Sequence, residues 1–146
     1  MAPLTMETSL VINRPIAEVW AYFEDPANVP EWQGSVAEMH KDTEGPVRVG
    51  TRMTEVRNFM GKRMESTLEV TAYEPERRFD LQVIKGPIPF KIRHDFEPVD
   101  GGTRVHFRGE GEAGGVFKLA GPMVKRQAQK AATDDFERLK RILESR

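Results

Sequence analysis

The chain has no cysteine in its 146 residues. That excludes a thiolate nucleophile, a disulfide scaffold and Cys-ligated zinc. No apolar run approaches the roughly 20 residues of a membrane span, and Met1 is not followed by the pattern of a secretory leader; a cytoplasmic protein without membrane insertion is expected. Charge of one sign is lacking too. Lys and Arg total 22 against 23 Asp and Glu, a net charge of −1, which leaves no electrostatic footprint for nucleic acid or an anionic surface. The three histidines, His40, His94 and His106, lie too far apart for a 2-His-1-carboxylate site, so no metal and no other cofactor is expected. Gly-x-Gly-x-x-Gly, phosphate-loop and Gly-x-Ser-x-Gly motifs are all missing, as are repeats, low-complexity tracts and linkers. Residues 1–146 therefore read as one domain. At this length roughly 68–70% of the unfolded surface is buried on folding, without help from a crosslink.

Aromatic residues make up 8% of the chain, and both tryptophans fall in one stretch, "VINRPIAEVWAYFEDPANVPEW", Val11 to Trp32. Met6, Thr8, Leu10 and Ile12 alternate with polar neighbours as a half-buried strand. Ile16, Val19, Trp20 and Phe23 then follow helical spacing, with Pro15 in the first turn. Asp25–Pro26 restarts the pattern as a cap and a first-turn proline. Pro30 holds this second helix to about a turn, with Val29 and Trp32 on one face.

From Val36 to Gly111 the period is two. Turn clusters at Phe59–Arg63, Glu74–Arg78, Lys85–Pro89 and Glu97–Thr103 separate the strands. The apolar phases are Ser66, Leu68, Val70 and Ala72; Phe79, Leu81 and Val83; Phe90, Ile92, His94 and Phe96; Val105 and Phe107. One dry face per strand predicts a sheet covered on one side. The cover is a C-terminal helix from about Pro122 to Glu144, with Val124, Ala128, Ala131, Ala132, Phe136, Leu139, Ile142 and Leu143 along one face. Lys125, Arg126, Lys130, Arg138 and Arg141 are assigned to the other face. At 1.5 Å per residue such a helix is roughly 35 Å long, enough to cross a sheet. Its alanine centre either leaves a hollow between helix and sheet or lets the two approach closely.

The expected order is thus β-α-α-β6-α, an α+β fold with seven antiparallel strands curved around one long helix. Here the chain resembles the START/SRPBCC (helix-grip, birch-pollen-allergen-like) superfamily, in its polyketide cyclase/dehydratase-like branch. The resemblance is carried by Ile12, Pro15, Val19, Trp20, Asp25, Pro26 and Trp32, then by Val49–Gly50–Thr51, Glu74–Pro75, Glu97–Pro98 and Gly101–Gly102–Thr103, and by the end helix. It covers nearly the whole chain and implies an apolar cavity between sheet and helix that takes lipids, quinones, polyketides or hormones. Members have no shared triad to carry over. The catalytic iron domain of ring-hydroxylating oxygenases has the same fold, but the histidine spacing here argues against it.

Given such a cavity, the expected wall is Phe23 and Trp32 from the opening stretch; Met53, Leu68, Phe79, Leu81, Phe90, Ile92, His94 and Phe107 from the strands; and Met123 and Ala128 from the helix. Trp20 is assigned to the core. His94, in phase with Phe90, Ile92 and Phe96, either orients a ligand or moves protons, or else is satisfied by a backbone carbonyl. In "TRMTEVRNFM" one phase holds Met53, Glu55, Arg57 and Phe59. Were that phase inward, Glu55 and Arg57 would enter the cavity as a pair; the reading adopted is an exposed cross-strand pair, with a bulge able to make each phase right locally. Gly114 and Gly115, before Val116, Phe117 and Leu119, read as a connector that could also gate. "KRQAQK" reads as a solvated helix face.

Three functions follow. The first is binding, transport or sequestration of an apolar small molecule, with a homodimer left open. The second is a polyketide cyclase, aromatase or dehydratase using His94 or Glu55 for proton transfer. The third is an interaction module with a filled cavity; the chaperone-activator members of the family have paired tryptophans where this chain has Glu31–Trp32, which disfavours that branch.

Overall fold

The computed structural model describes residues 3–112 and 121–146. The glycine connector at Gly114–Gly115 and the Val116, Phe117 and Leu119 stretch fall outside them. Seven strands, β1 (Pro3–Ile12), β2 (Val36–Lys41), β3 (Arg52–Phe59), β4 (Lys62–Glu74), β5 (Arg78–Lys85), β6 (Phe90–Val99) and β7 (Gly102–Glu112), form one sheet. Its order is β1-β7-β6-β5-β4-β3-β2, with every pairing antiparallel. Strands β2 to β7 form a meander, and β1 joins the far edge beside β7. The chain travels from one edge to the other through α1 (Ile16–Phe23), a 3₁₀ turn (Pro26–Asn28) and α2 (Val29–Trp32). The last element is α3 (Gly121–Glu144). This is the expected α+β helix-grip order.

Local chemistry accounts for the joints. Asp25 Oδ1 accepts the Ala27 amide at 3.0 Å and starts the 3₁₀ turn. The β3–β4 hairpin turns on Met60 (φ 52°) and Gly61 (φ 77°), two left-handed residues in a two-residue loop, which match the twist of the flanking strands. Tyr73 corrects the simple alternation in β4. The register slips between Val70 and Ala72, so Tyr73 rather than Ala72 packs on the core. A bulge inverts the phase beyond it.

Trp20 is core, 4% exposed, with ring centroids 5.0 Å from Phe96 and 5.7 Å from Tyr73. Helix α3 joins the same cluster through Ala132, Phe136, Leu139 and Leu143, while Val124 and Ala128 meet Leu4 in a second one. Polar ties fix its position. Lys140 Nζ donates to Val11 O at 2.6 Å, Glu144 Oε2 accepts the Asn13 amide at 2.8 Å, and Arg138 Nη1 donates to Trp32 O at 2.9 Å. The helical pattern assigns Arg138 to the solvent face; instead it clamps α2 to α3.

Strand β7 continues its inward phase from Phe107 with glycines, and the reason is steric. The Phe90 ring occupies the space, and a Cβ on Gly109 would lie 2.8 Å from Phe90 Cε1. Gly109→Val therefore displaces Phe90 and destabilises the fold by about 1–3 kcal/mol, the usual cost of overpacking, readable as a lowered midpoint in urea unfolding. A substitution within about 0.3 kcal/mol of neutral would show that the ring is free to move aside.

Candidate functional site: a cavity between sheet and helix

The long helix does not meet the sheet along its full length. Ala128, Ala131 and Ala132 form its middle, and beneath them lies a cavity of about 200 Å³. An engineered apolar cavity of about 150 Å³ is enough to take benzene. A larger depression of about 430 Å³ on the sheet exterior, lined by Asp80, Lys91, Arg93, Arg108 and Glu110 among others, is more open and largely charged. The apolar space beneath the helix is the better site for a small apolar molecule.

Of the wall residues expected from sequence, Phe23, Trp32, Met53, Leu68, Phe79 and Leu81 line this cavity. Phe90, Ile92, His94, Phe107 and Ala128 do so as well. Met123 does not. It is 62% exposed, whereas its neighbour Val124 is 1% exposed; adjacent helical residues point about 100° apart, so one of them faces out. Met64, Val83 and Ile88 were missed, although Met64 and Val83 share the inward phases of β4 and β5. Asp135 was missed as well. Its spacing, four after Ala131 and seven after Ala128, puts it on the alanine face, but a carboxylate there reads as a break in the stripe.

The exposed reading of β3 is overturned. Glu55 and Arg57 both line the cavity, and the Glu55 side chain is 11% exposed. Arg57 Nε donates to Glu55 Oε1 and Nη2 to Oε2, both at 3.1 Å. Ser35 Oγ and Gln33 Oε1 accept two further bonds at 2.7 Å each. A buried ion pair is tolerable when bonded this completely. Burial disfavours the guanidinium charge, yet Glu55 outweighs it and holds Arg57 above its ordinary pKa. Asp135 shifts in the carboxyl sense of burial. Its pKa is raised, against the opposing pull of the Gly34 amide (3.0 Å from Oδ1), Arg57 and Arg138.

His94 sits among rings, with Phe23 at 4.7 Å and Phe107 at 5.5 Å between centroids. Its Nδ1 lies 2.9 Å from Phe79 O. A carbonyl only accepts, so Nδ1 bears the proton and Nε2 is left as an acceptor. Burial lowers the pKa from 6.5 to about 4, with the Phe79 bond opposing. The group is a weak base, neutral at pH 7. His40 and His106 face outward beside Asp42 and Glu7. Among the described residues no cluster of His, Asp or Glu could hold a metal ion, and no helix is long and apolar enough to cross a membrane.

Comparison with known proteins agrees with this geometry. Residues 3–144 match the family described as polyketide cyclase / dehydrase and lipid transport, and the chain belongs to that family. No curated protein matches it in sequence. Its fold is similar to that of TTHA0849 from Thermus thermophilus, with TM-score 0.84, 19% identity and 97% of each chain covered. A START superfamily protein from Mycobacterium smegmatis aligns with TM-score 0.81, 13% identity and 97% of each chain covered. The di-domain ARO/CYC StfQ from the steffimycin biosynthetic pathway aligns with TM-score 0.77 and 14% identity, over 98% of this chain and 52% of that one.

The buried imidazole makes stability depend on pH with a definite sign. The unfolded chain takes up this proton near pH 6.5 and the native protein only near 4. Between those values the unfolded state binds more protons, so stability falls as pH falls, by about 3 kcal/mol from this group across the window. Urea unfolding of the wild type and of His94→Gln at pH 7 and pH 4.5 should give a much flatter difference for the variant. Equal slopes would mean that His94 titrates normally.

Proposed function

We propose that the protein binds a hydrophobic small molecule of the lipid, polyketide or quinone class in the cavity between the sheet and α3, for transport or sequestration. The observation that carries this reading is a cavity of about 200 Å³ whose wall is largely Phe, Met, Leu, Ile and Ala. A guest burying roughly 300 Å² of apolar surface there gains about 7 kcal/mol gross, less the cost of association. Micromolar affinity then needs little polar recognition. The space also argues against an interaction module with a filled interior.

A second reading, a cyclase or dehydratase, draws support from the family description and from Glu55 and Asp135 on the wall. Two facts weigh against it. A general base works best with a pKa near the operating pH, whereas His94 lies near 4, with its Nδ1 proton held by Phe79 O and only Nε2 left to accept. Glu55 is likewise occupied by Arg57.

Native mass spectrometry of gently purified protein should reveal a co-purifying apolar molecule. Leu68, 2% exposed on the cavity wall, offers a direct block. Leu68→Trp should abolish uptake of an apolar fluorescent probe while the circular dichroism spectrum is retained. Should the added bulk prevent folding, Ala131→Leu narrows the same space more gently. Unchanged uptake in a folded blocking variant would sink the cavity as the binding site.

A further inference from the structure

Resting on the cavity as the ligand site, we propose that Met64 is an oxidation site whose conversion to the sulfoxide empties that cavity of its apolar guest. Four of the seven methionines, Met6, Met39, Met53 and Met64, line the cavity. Exposure separates them. Met53 is 2% exposed and belongs to the main core. Met64 is half-buried and packs, with Phe59 and Ile88, against the Leu4, Val124 and Ala128 cluster. It lies near the start of β4, just after the exposed Met60–Gly61 turn, so part of its side chain stays open to a small oxidant dissolved in water.

The neighbour of Met64 singles it out. Arg57 stands directly opposite it in the β3–β4 ladder, and both line the cavity. Directly opposed residues have Cβ atoms about 4.5–5.5 Å apart, so a polar atom at the end of Met64 can reach the guanidinium. Arg57 has five N–H groups. Nε donates to Glu55, Nη2 to Glu55 and Gln33, and Nη1 to Ser35. One Nη1–H is left without a partner among the described residues. A thioether sulfur is only a weak acceptor for it. A sulfoxide oxygen there would meet a charged donor, the stronger class of hydrogen bond.

The chemistry balances with a peroxide as oxidant. The sulfur lone pair of Met64 attacks one peroxide oxygen, the O–O bond breaks and an S–O bond forms. The proton of the transferred oxygen passes to the departing hydroxide, which leaves as water. Sulfur gives up two electrons and the peroxide takes them. A methionine sulfoxide reductase restores the thioether, with a dithiol as reductant. Oxidation turns a flexible apolar side chain into a polar one. Held by Arg57, the added oxygen stays inside and takes volume from a space of only about 200 Å³. An apolar guest would also cover a dipole to which it offers no hydrogen bond.

Treatment with hydrogen peroxide, peptide mapping by mass spectrometry and binding of N-phenyl-1-naphthylamine, a neutral fluorescent probe, test this together. The treated wild type should carry the sulfoxide at Met64 and bind the probe about tenfold more weakly. Methionine sulfoxide reductase should restore binding. Met64→Leu, a volume-conserving change, should keep its own untreated affinity through the same treatment. Met60 and Met123, 46% and 62% exposed, do not line the cavity, and Met60→Leu and Met123→Leu should lose affinity as the wild type does. Should Met64→Leu fail to fold, the wild type supplies a second readout: saturating probe should slow oxidation of Met64 and leave Met60 and Met123 unprotected. Equal loss of affinity in Met64→Leu and wild type, or full binding by a wild type oxidised at Met64, overturns the assignment and leaves the cavity reading standing. Failure of the untreated wild type to take up the probe overturns both.

Discussion

The structure depends on an incomplete contact. Helix α3 is docked by bulk at both ends and by polar ties from Gln129, Arg138, Lys140 and Glu144, and its alanine face is too thin to fill the space above the sheet. Phe136, Leu139 and Leu143 are each 3% exposed or less and dock the C-terminal half. Val124 docks the other end against Leu4. Between them Ala128, Ala131 and Ala132 supply one methyl each, and the strands opposite carry side chains that cannot fill the remaining depth. Lys140 on Val11 O and Arg138 on Trp32 O prevent the helix from settling inward to close the gap. A void of this kind costs roughly 24 cal/mol per Å³, of the order of 5 kcal/mol for about 200 Å³. Native stability is only about 5–15 kcal/mol, so the hollow is an expensive feature for a protein that leaves it unused.

The tryptophan stretch with which the chain begins has a divided role that follows from the same geometry. Trp20 lies over Phe96 and Tyr73 and seals the sheet behind the cavity. Phe23 and Trp32, 5.6 Å apart, form part of the cavity wall itself. The Asp25 cap and the prolines around it turn the backbone between them. Three residues after Trp32 the chain delivers Ser35 to Arg57, so a single crossover supplies apolar wall and polar anchor together.

Much of this was legible in the sequence because most of it is periodic. Phe90, Ile92, His94 and Phe96 alternate cleanly and face inward, and the helix stripe locates the alanine centre. What escaped were the residues where periodicity and chemistry disagree. Glu55 and Arg57 have the inward phase, but charge argued for solvent, and nothing in a linear reading reveals that Ser35 and Gln33 wait nearby to saturate the guanidinium. Asp135 interrupts an apolar stripe for the same reason. Its partner Gly34 lies 101 residues away. Tyr73 escaped through a bulge, which shifts phase without leaving a composition signal. Met123 failed at a helix start, where one residue of uncertainty in phase exchanges inside for outside.

The titratable groups of the cavity share a direction. Burial drives His94 toward neutrality by lowering its pKa to about 4 and drives Asp135 the same way by raising its own. Glu55 and Arg57 cancel each other instead, and the net Arg57 shift upward reflects how firmly that pair holds. A site evolved to transfer protons near pH 7 tends to set two groups apart, one acidic and one basic, with pKa values near the working pH. Here burial pushes His94 and Asp135 toward their neutral forms and Glu55 is matched by Arg57, an arrangement that does not hold an acid and a base poised on either side of neutral pH.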